Sequence, residues 1–331
     1  MNLQNRIELL QHLQKYLFEE GGEWQNTRAR AFAHNGWFTP EFIDLAVENI
    51  CSEFLQKEKL EQWATHYHLD DNVGGKNIGI VMAGNIPLVG FHDFLCVFIS
   101  GHKQTVKLSS KDDILFKHLA KKLTEWEPET EKKIQFSEIL KGCNAYIATG
   151  SNNSARYFEQ YFSKYPNIIR RNRTSVGILT GNETPGELDS LSDDVHQYFG
   201  LGCRNVTHLF VPEGYDFVPL LNAFNKYKHF TDHHKYKNNY DYQLSIALLN
   251  NMYYMTNGST LMIEDNAIFS AISRLNYSYY KDYEKLIKEL SGNDDIQCIT
   301  GKKGIPFGIA QKPGLLDYAD GIDCMQFLLT L

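Results

Sequence analysis

A change of hydrophobic period at Asn77 constrains the fold more than any other feature of this chain. Before it, stretches 3–18 and 39–55 place apolar residues three and four apart, the second behind a Thr39-Pro40-Glu41 helix-opening signal, so residues 1–76 read as mostly helical. From Asn77 onward, short apolar runs alternate with helical stretches. Residues 77–84 read as a buried strand ending in Gly84-Asn85-Ile86-Pro87, followed by a helix over 88–99. The second strand is 105–108, with Ser109 to Asp113 as the entry to a helix reaching Trp126. The third is 145–148, after which Thr149-Gly150-Ser151 opens a helix over 153–162, and 167–170 and 175–179 read as two more strands. Strands separated by crossover helices pair in parallel and are covered on both faces, so the predicted fold class is α/β with a Rossmann-type parallel sheet.

In such a sheet ligands bind outside the carboxyl ends of the strands, where Asn85, Lys107 and the Thr149-Gly150-Ser151 turn fall. No Gly-x-Gly-x-x-Gly follows the first strand. The chain of 331 residues has room for two domains, and its charge of −7, with no basic run interleaved with aromatics, excludes a nucleic-acid partner. No stretch approaches the ~20 apolar residues of a membrane span. The start has no basic region followed by an apolar core, so a cytoplasmic location is expected. The six cysteines form no Cys-x-x-Cys pair, which fits reduced thiols and no metal site. The adjacent His233 and His234 lack metal-binding spacing, and a substrate-side or domain-contact role competes with a purely structural one.

Beyond the fifth strand, 188–199 reads as a helix stopped by Gly200 and Gly202, and 206–211 as a strand ending at Pro212. Cys203 lies on the glycine-rich hinge between them. A thiol held by rigid elements on a tight turn suits a covalent catalyst, although a single cysteine is equally a small core residue. The remainder reads as a helix over 241–251, a strand over 259–263, a helix over 280–290 and a strand over 295–300. The expected boundary is at 199/200, with a helical region and dinucleotide-binding domain over 1–199 and a catalytic domain with a C-terminal tail over 200–331.

In their order and separations, Gly84-Asn85-Ile86-Pro87, Lys107, Thr149-Gly150-Ser151 and Gly200-Leu201-Gly202-Cys203 resemble the aldehyde dehydrogenase superfamily, and within it the LuxC-type acyl-CoA reductases. The likeness covers 77–212 well and the rest more loosely, with Phe307-Gly308-Ile309-Ala310-Gln311 and Asp317-Tyr318-Ala319-Asp320-Gly321 as further points of similarity. The resemblance implies an aldehyde dehydrogenase-like fold, Cys203 as nucleophile, and Asn85 with the Cys203 N–H as oxyanion donors. It implies cofactor contacts from Lys107, Ser109, Gly150 and Ser151, with NADPH preferred over NADH because a cation suits a 2′-phosphate. The implied substrate is an acyl-CoA, reduced to an aldehyde through an acyl-cysteine; the chain is also a candidate homo-oligomer. The superfamily's water-activating glutamate falls on Arg170-Arg171-Asn172-Arg173-Thr174, which has no carboxylate and so favours reduction. Aldehyde oxidation and cofactor-independent cysteine acyltransfer or thioester hydrolysis are the alternatives.

Overall fold

The computed structural model describes residues 1–19, 21–71 and 75–331. By its internal contacts the chain forms two compact units, Met1–Asn172 with Pro313–Leu331, and Arg173–Lys312.

The first unit opens with four helices, α1 (Leu3–Phe18), α2 (Gly22–His34), α3 (Pro40–Asn49) and α4 (Lys57–His66). Their starts are written locally. The Asn2 side chain accepts the Asn5 N–H, and Thr39 accepts that of Phe42 with Pro40 in the first turn, satisfying donors that a helix leaves unpaired. A five-stranded parallel sheet follows, made of β1 (Asn77–Val81), β2 (Lys103–Lys107), β3 (Ile134–Phe136), β4 (Ala145–Thr149) and β5 (Asn167–Arg170), in the order β3-β2-β1-β4-β5. Its direction of growth reverses between β1 and β4, which makes their carboxyl ends the switch point. The connections are α5 (Phe91–Ile99), α6 (Asp113–Trp126) and α7 (Asn152–Phe162). Helix α5 is buried along its whole length and meets the apolar sides of Ile78, Ile80 and Val106 in one core. It begins later than expected, because Leu88 adopts a left-handed backbone (φ 56°) and residues 85–90 form a turn.

The second unit is a six-stranded sheet of order β11-β6-β7-β10-β9-β8. Its strands are β6 (Thr174–Ile178), β7 (Val206–Pro212), β8 (Met255–Thr256), β9 (Leu261–Glu264), β10 (Arg274–Tyr280) and β11 (Ile296–Gly301), parallel except for the β8–β9 pair. Helices α8 (Pro185–His196), α9 (Val218–Ala223), α10 (His234–Leu249) and α11 (Tyr283–Ser291) cover it, and α12 (Cys324–Leu329) returns to the first unit. Strand β10 is absent from the sequence expectation, although it lies between β7 and β9. Its polar Arg274, Asn276 and Ser278 alternate with Leu275, Tyr277 and Tyr279 as in a strand, and buried Asn276 is satisfied by donating to the Ala267 and Phe269 carbonyls.

The units differ from the expected division at 199/200. Only Arg171, Asn172 and Arg173 separate β5 from β6, yet β6 pairs with β7 and β11, so the second unit starts near 173. The terminal stretch, expected in the catalytic domain, belongs to the first unit. There the Trp63 indole donates to Tyr318 Oη (3.1 Å), and a hydrogen bond joins His102 Nε2 to the Leu328 carbonyl (3.1 Å).

Arg170 closes β5 with a buried ion pair to Asp93 of α5 (2.5 Å). It is therefore neither a phosphate contact nor a solvated loop cation, whereas exposed Arg171 pairs with Glu159. Removing one member of a buried pair strands the other charge, at a cost of about 3–5 kcal/mol. Arg170→Met should lower the urea midpoint accordingly, and Arg170→Met with Asp93→Asn should recover part of the loss. A wild-type midpoint for the single variant would show that the pair does not hold β5 to α5.

Candidate active site

Three strand ends of the first unit lie in register, with Val81 opposite both Lys107 and Ala148. Asn85, half-buried, follows β1; Lys107 is exposed as the last residue of β2; Gly150 and Ser151 follow β4. The loops are shaped by close packing. A Cβ on Gly84 would lie 2.5 Å from the Ser109 hydroxyl, and one on Gly150 would meet Phe158 and Ser154 at 2.9 Å, so the loop after β1 can lie against Ser109 and α7 can sit close to β4. Ser151 caps α7, its hydroxyl accepting the Ser154 N–H (3.3 Å), and the first turn of that helix carries no acidic residue. A cation, two hydroxyl-bearing residues and a helix amino terminus on one sheet edge make a setting suited to anionic groups such as phosphates.

Asp112 lies in the 109–113 helix entry and is not among the residues singled out from the sequence. In the structure its buried carboxylate accepts the Leu88 N–H (2.7 Å) and so ties α6 to the turn that carries Asn85. Burial drives its pKa well above the usual carboxylate range.

Cys203 belongs to the second unit and is half-buried in the turn before β7. The expected helix over 188–199 stops at His196, and Tyr198 (φ 55°), Phe199 (φ 57°) and Gly200 (φ 74°) then run consecutively through the left-handed region. That region costs roughly 1–2 kcal/mol for each residue with a side chain. Packing holds the stretch in place, with the Phe199 ring 4.5 Å from Phe230 and 4.6 Å from His233. His233 also caps α10 by accepting the Tyr236 N–H (3.4 Å), which gives it a structural task.

Asn205 completes the turn. Its buried amide accepts the Gly202 N–H (2.7 Å) and donates to the carbonyls of Asp194 (3.0 Å) and Gln197 (2.9 Å) at the end of α8. Its own N–H reaches the Gly202 carbonyl (3.1 Å), and Ser175 of β6 donates to the Cys203 carbonyl (3.1 Å). Asn205 is not among the residues singled out from the sequence. The turn-forming Gly-Cys-Arg-Asn order was the available signal.

The two glutamates at the start of α8 are engaged locally. Glu183 accepts the Thr180 N–H (2.5 Å) and hydroxyl (2.8 Å), while Glu187 forms a reciprocal capping box with Thr184. Both lie at the amino end of a helix about 18 Å long, whereas Asn205 ties the Cys203 turn to the carboxyl end. Asp194, in the last turn, is buried and accepts the N–H groups of Gly308 (2.8 Å) and Ala310 (3.1 Å). His196 is a neutral core group: burial depresses its pKa to about 4, and it is hydrogen-bonded to the Ser192 carbonyl and the Thr260 hydroxyl. Among the described residues, no three His, Cys, Asp or Glu side chains converge as a metal site, and no helix is long and apolar enough to cross a membrane.

Burial lifts the Asp194 pKa from 3.8 to about 6, so this carboxyl keeps its proton in the folded state at pH values where the unfolded chain has lost it. Its effect on stability is absent below ~pH 4, grows as pH rises, and is complete above ~pH 6, where folding must bury the charge at a cost of about 3 kcal/mol. Urea midpoints of wild type and Asp194→Asn measured across this range should therefore change relative to one another by that amount. A constant difference would show that Asp194 titrates normally.

No family model and no curated protein matches the sequence. Solved structures do. Aldehyde dehydrogenase 21 from Physcomitrella patens, in complex with the reaction product succinate, superposes with a TM-score of 0.67 at 13% identity, over 92% of this chain and 74% of that one. An aldehyde dehydrogenase from Mycobacterium tuberculosis complexed with NAD+ matches with a TM-score of 0.63 at 12% identity, over 91% and 73%. The NAD+ complex of an aldehyde dehydrogenase from Bacillus cereus gives 0.65 at 12%, over 91% and 72%. A five-stranded parallel sheet carrying Asn85, Lys107 and Gly150 at its carboxyl edge, and a six-stranded mixed sheet whose second strand in chain order, β7, follows the Cys203 turn, give this chain an aldehyde dehydrogenase-like fold.

Proposed function

We propose that this protein is a nicotinamide-dependent acyl-CoA reductase that forms an acyl-enzyme on Cys203. The observation that carries the reading is the Cys203 turn, clamped by Asn205 and Ser175 at the amino end of a strand, with Glu183 bonded within the turn before α8 and Glu187 in the capping box at the far end of that helix. The Cys203 sulfur attacks the thioester carbonyl, an oxyanion forms, and the coenzyme A thiolate leaves. The side-chain amide of Asn85 and the Cys203 N–H stabilise the charge that develops on that oxygen. Lys107 and Ser109 bind the adenosine ribose and its 2′-phosphate, and Gly150 and Ser151 the pyrophosphate. The cofactor, when bound, supplies a hydride to the acyl carbon. Cys203 is expelled as its thiolate and the aldehyde is released. With no carboxylate in 170–174 to activate water, the acyl-cysteine is reduced faster than it is hydrolysed.

Oxidation of an aldehyde to an acid is the second reading, favoured by the neighbours, which are named as aldehyde dehydrogenases. Product analysis separates the two. Aldehyde from acyl-CoA and NADPH supports reduction, and acid from aldehyde and NAD+ as the faster reaction reverses the assignment.

Incubation with acyl-CoA and no reductant should add one acyl group at Cys203, seen by intact-mass and peptide analysis. Acylation of Cys203→Ala to the same extent would remove the nucleophile assignment. Asn85→Ala should retain substrate binding and lower kcat by about 10²–10³. The kcat/KM for NADPH should exceed that for NADH, and Lys107→Ala should narrow the gap.

A further inference from the structure

Cys298 takes no part in the chemistry proposed above, yet the fold places it beside the Cys203 turn. Strand β11 pairs with β6 at Ile296 opposite Thr174 and at Ile299 opposite Val176, so Gln297 and Cys298 together oppose Ser175 in a bulge. The Cys298 N–H leaves the ladder and donates to the Ser175 hydroxyl (3.2 Å), and the Cys298 sulfur lies 3.0 Å from the same oxygen. That hydroxyl gives its one proton to the Cys203 carbonyl (3.1 Å), so the Cys298 thiol is the donor towards it. The Cys298 sulfur and the Cys203 main chain are thus both held at hydrogen-bonding distance from one hydroxyl. One partner lies in a turn and the other in a bulge, so neither is locked in a regular ladder.

The remaining thiols, Cys51, Cys96, Cys143 and Cys324, are buried, whereas Cys203 and Cys298 are only partly so. Burial pushes the Cys298 thiol up, opposed by its hydrogen bond to Ser175 and by Arg204, while the Asp194 charge adds to the rise; the resting group is held as the thiol.

We propose that Cys203 and Cys298 are a redox pair, closing to a disulfide when a peroxide oxidises Cys203 and reopening with a dithiol. In the first step the Cys203 thiolate attacks a hydrogen peroxide oxygen, the O–O bond breaks, and the departing hydroxide takes up a proton to leave as water. Cys203 is now a sulfenic acid. The Cys298 sulfur then attacks the Cys203 sulfur, the S–O bond breaks, and a second water leaves with the Cys298 proton. Two thiols have lost two electrons to one peroxide. The disulfide occupies the proposed nucleophile and stops oxidation short of the sulfinic acid, which dithiols do not reverse. The pairing rests on the reading of Cys203 as the reactive thiol, but its test uses no substrate.

The full chain is treated with hydrogen peroxide, free thiols are alkylated, and peptides are mapped by mass spectrometry with and without dithiothreitol. Wild type should yield a Cys203–Cys298 linked peptide pair, and dithiothreitol should restore both thiols. In Cys298→Ser and Cys298→Ala, with folding checked by circular dichroism, Cys203 should pass to the sulfinic acid and its recoverable thiol should fall several-fold. Sulfinic acid at Cys203 in wild type with Cys298 still free, or equal recovery in the Cys298 variants, overturns the pair. A linked pair in a protein that takes no acyl group would leave the redox pair standing and remove the reductase reading.

Discussion

A single buried side-chain amide keeps the Cys203 turn in place. Asn205 accepts the Gly202 N–H and donates to carbonyls at the end of α8, so groups that a helix terminus and a tight turn would otherwise leave unpaired are satisfied by one residue. This lets three consecutive residues pass through the left-handed region between α8 and β7, supported by the packing of Phe199 on Phe230 and His233. The thiol is therefore carried by a turn anchored to a helix on one side and, through Ser175, to a strand on the other. Such anchoring confines a reacting atom more tightly than a free loop does.

Asp194 extends the same arrangement. Its carbonyl meets Asn205, and its carboxylate meets Gly308 and Ala310, so the Cys203 turn and the 308–310 segment share one helical turn as their support. Gly308 is required there, since its φ is 87° and a Cβ would come within 2.9 Å of Ser190. In the first unit Asp112 does the corresponding work for the Asn85 turn, again as a buried carboxylate accepting a main-chain N–H. Both acids are spent on backbone, which leaves positioning, and not proton transfer, as what they supply.

Much of this could be read from the chain. The βα alternation after Asn77 identified the parallel sheet, because crossover helices permit little else, and the carboxyl-edge placement of Asn85, Lys107 and Gly150 followed from strand direction alone. Cys203 stood out through its glycine frame. Asn205, Asp194 and Asp112 did not, since their partners lie on other segments and no local pattern distinguishes a buried, satisfied polar residue from an exposed one.

What the sequence determined by itself was therefore the local grammar: helix starts at Asn2 and Thr39, strands with buried β-branched residues, and the turn that presents Cys203. Which strands share a sheet is set by packing between distant segments. Strands β5 and β6 are separated by three residues and join different sheets, while β11 travels back across more than a hundred residues to pair with β6. Strand pairing is a matter of matched hydrogen-bonding edges and shared core, and neither is encoded in the segment that supplies the edge. The same holds for Cys298, which becomes a neighbour of Cys203 only because a bulge in β11 turns it towards Ser175.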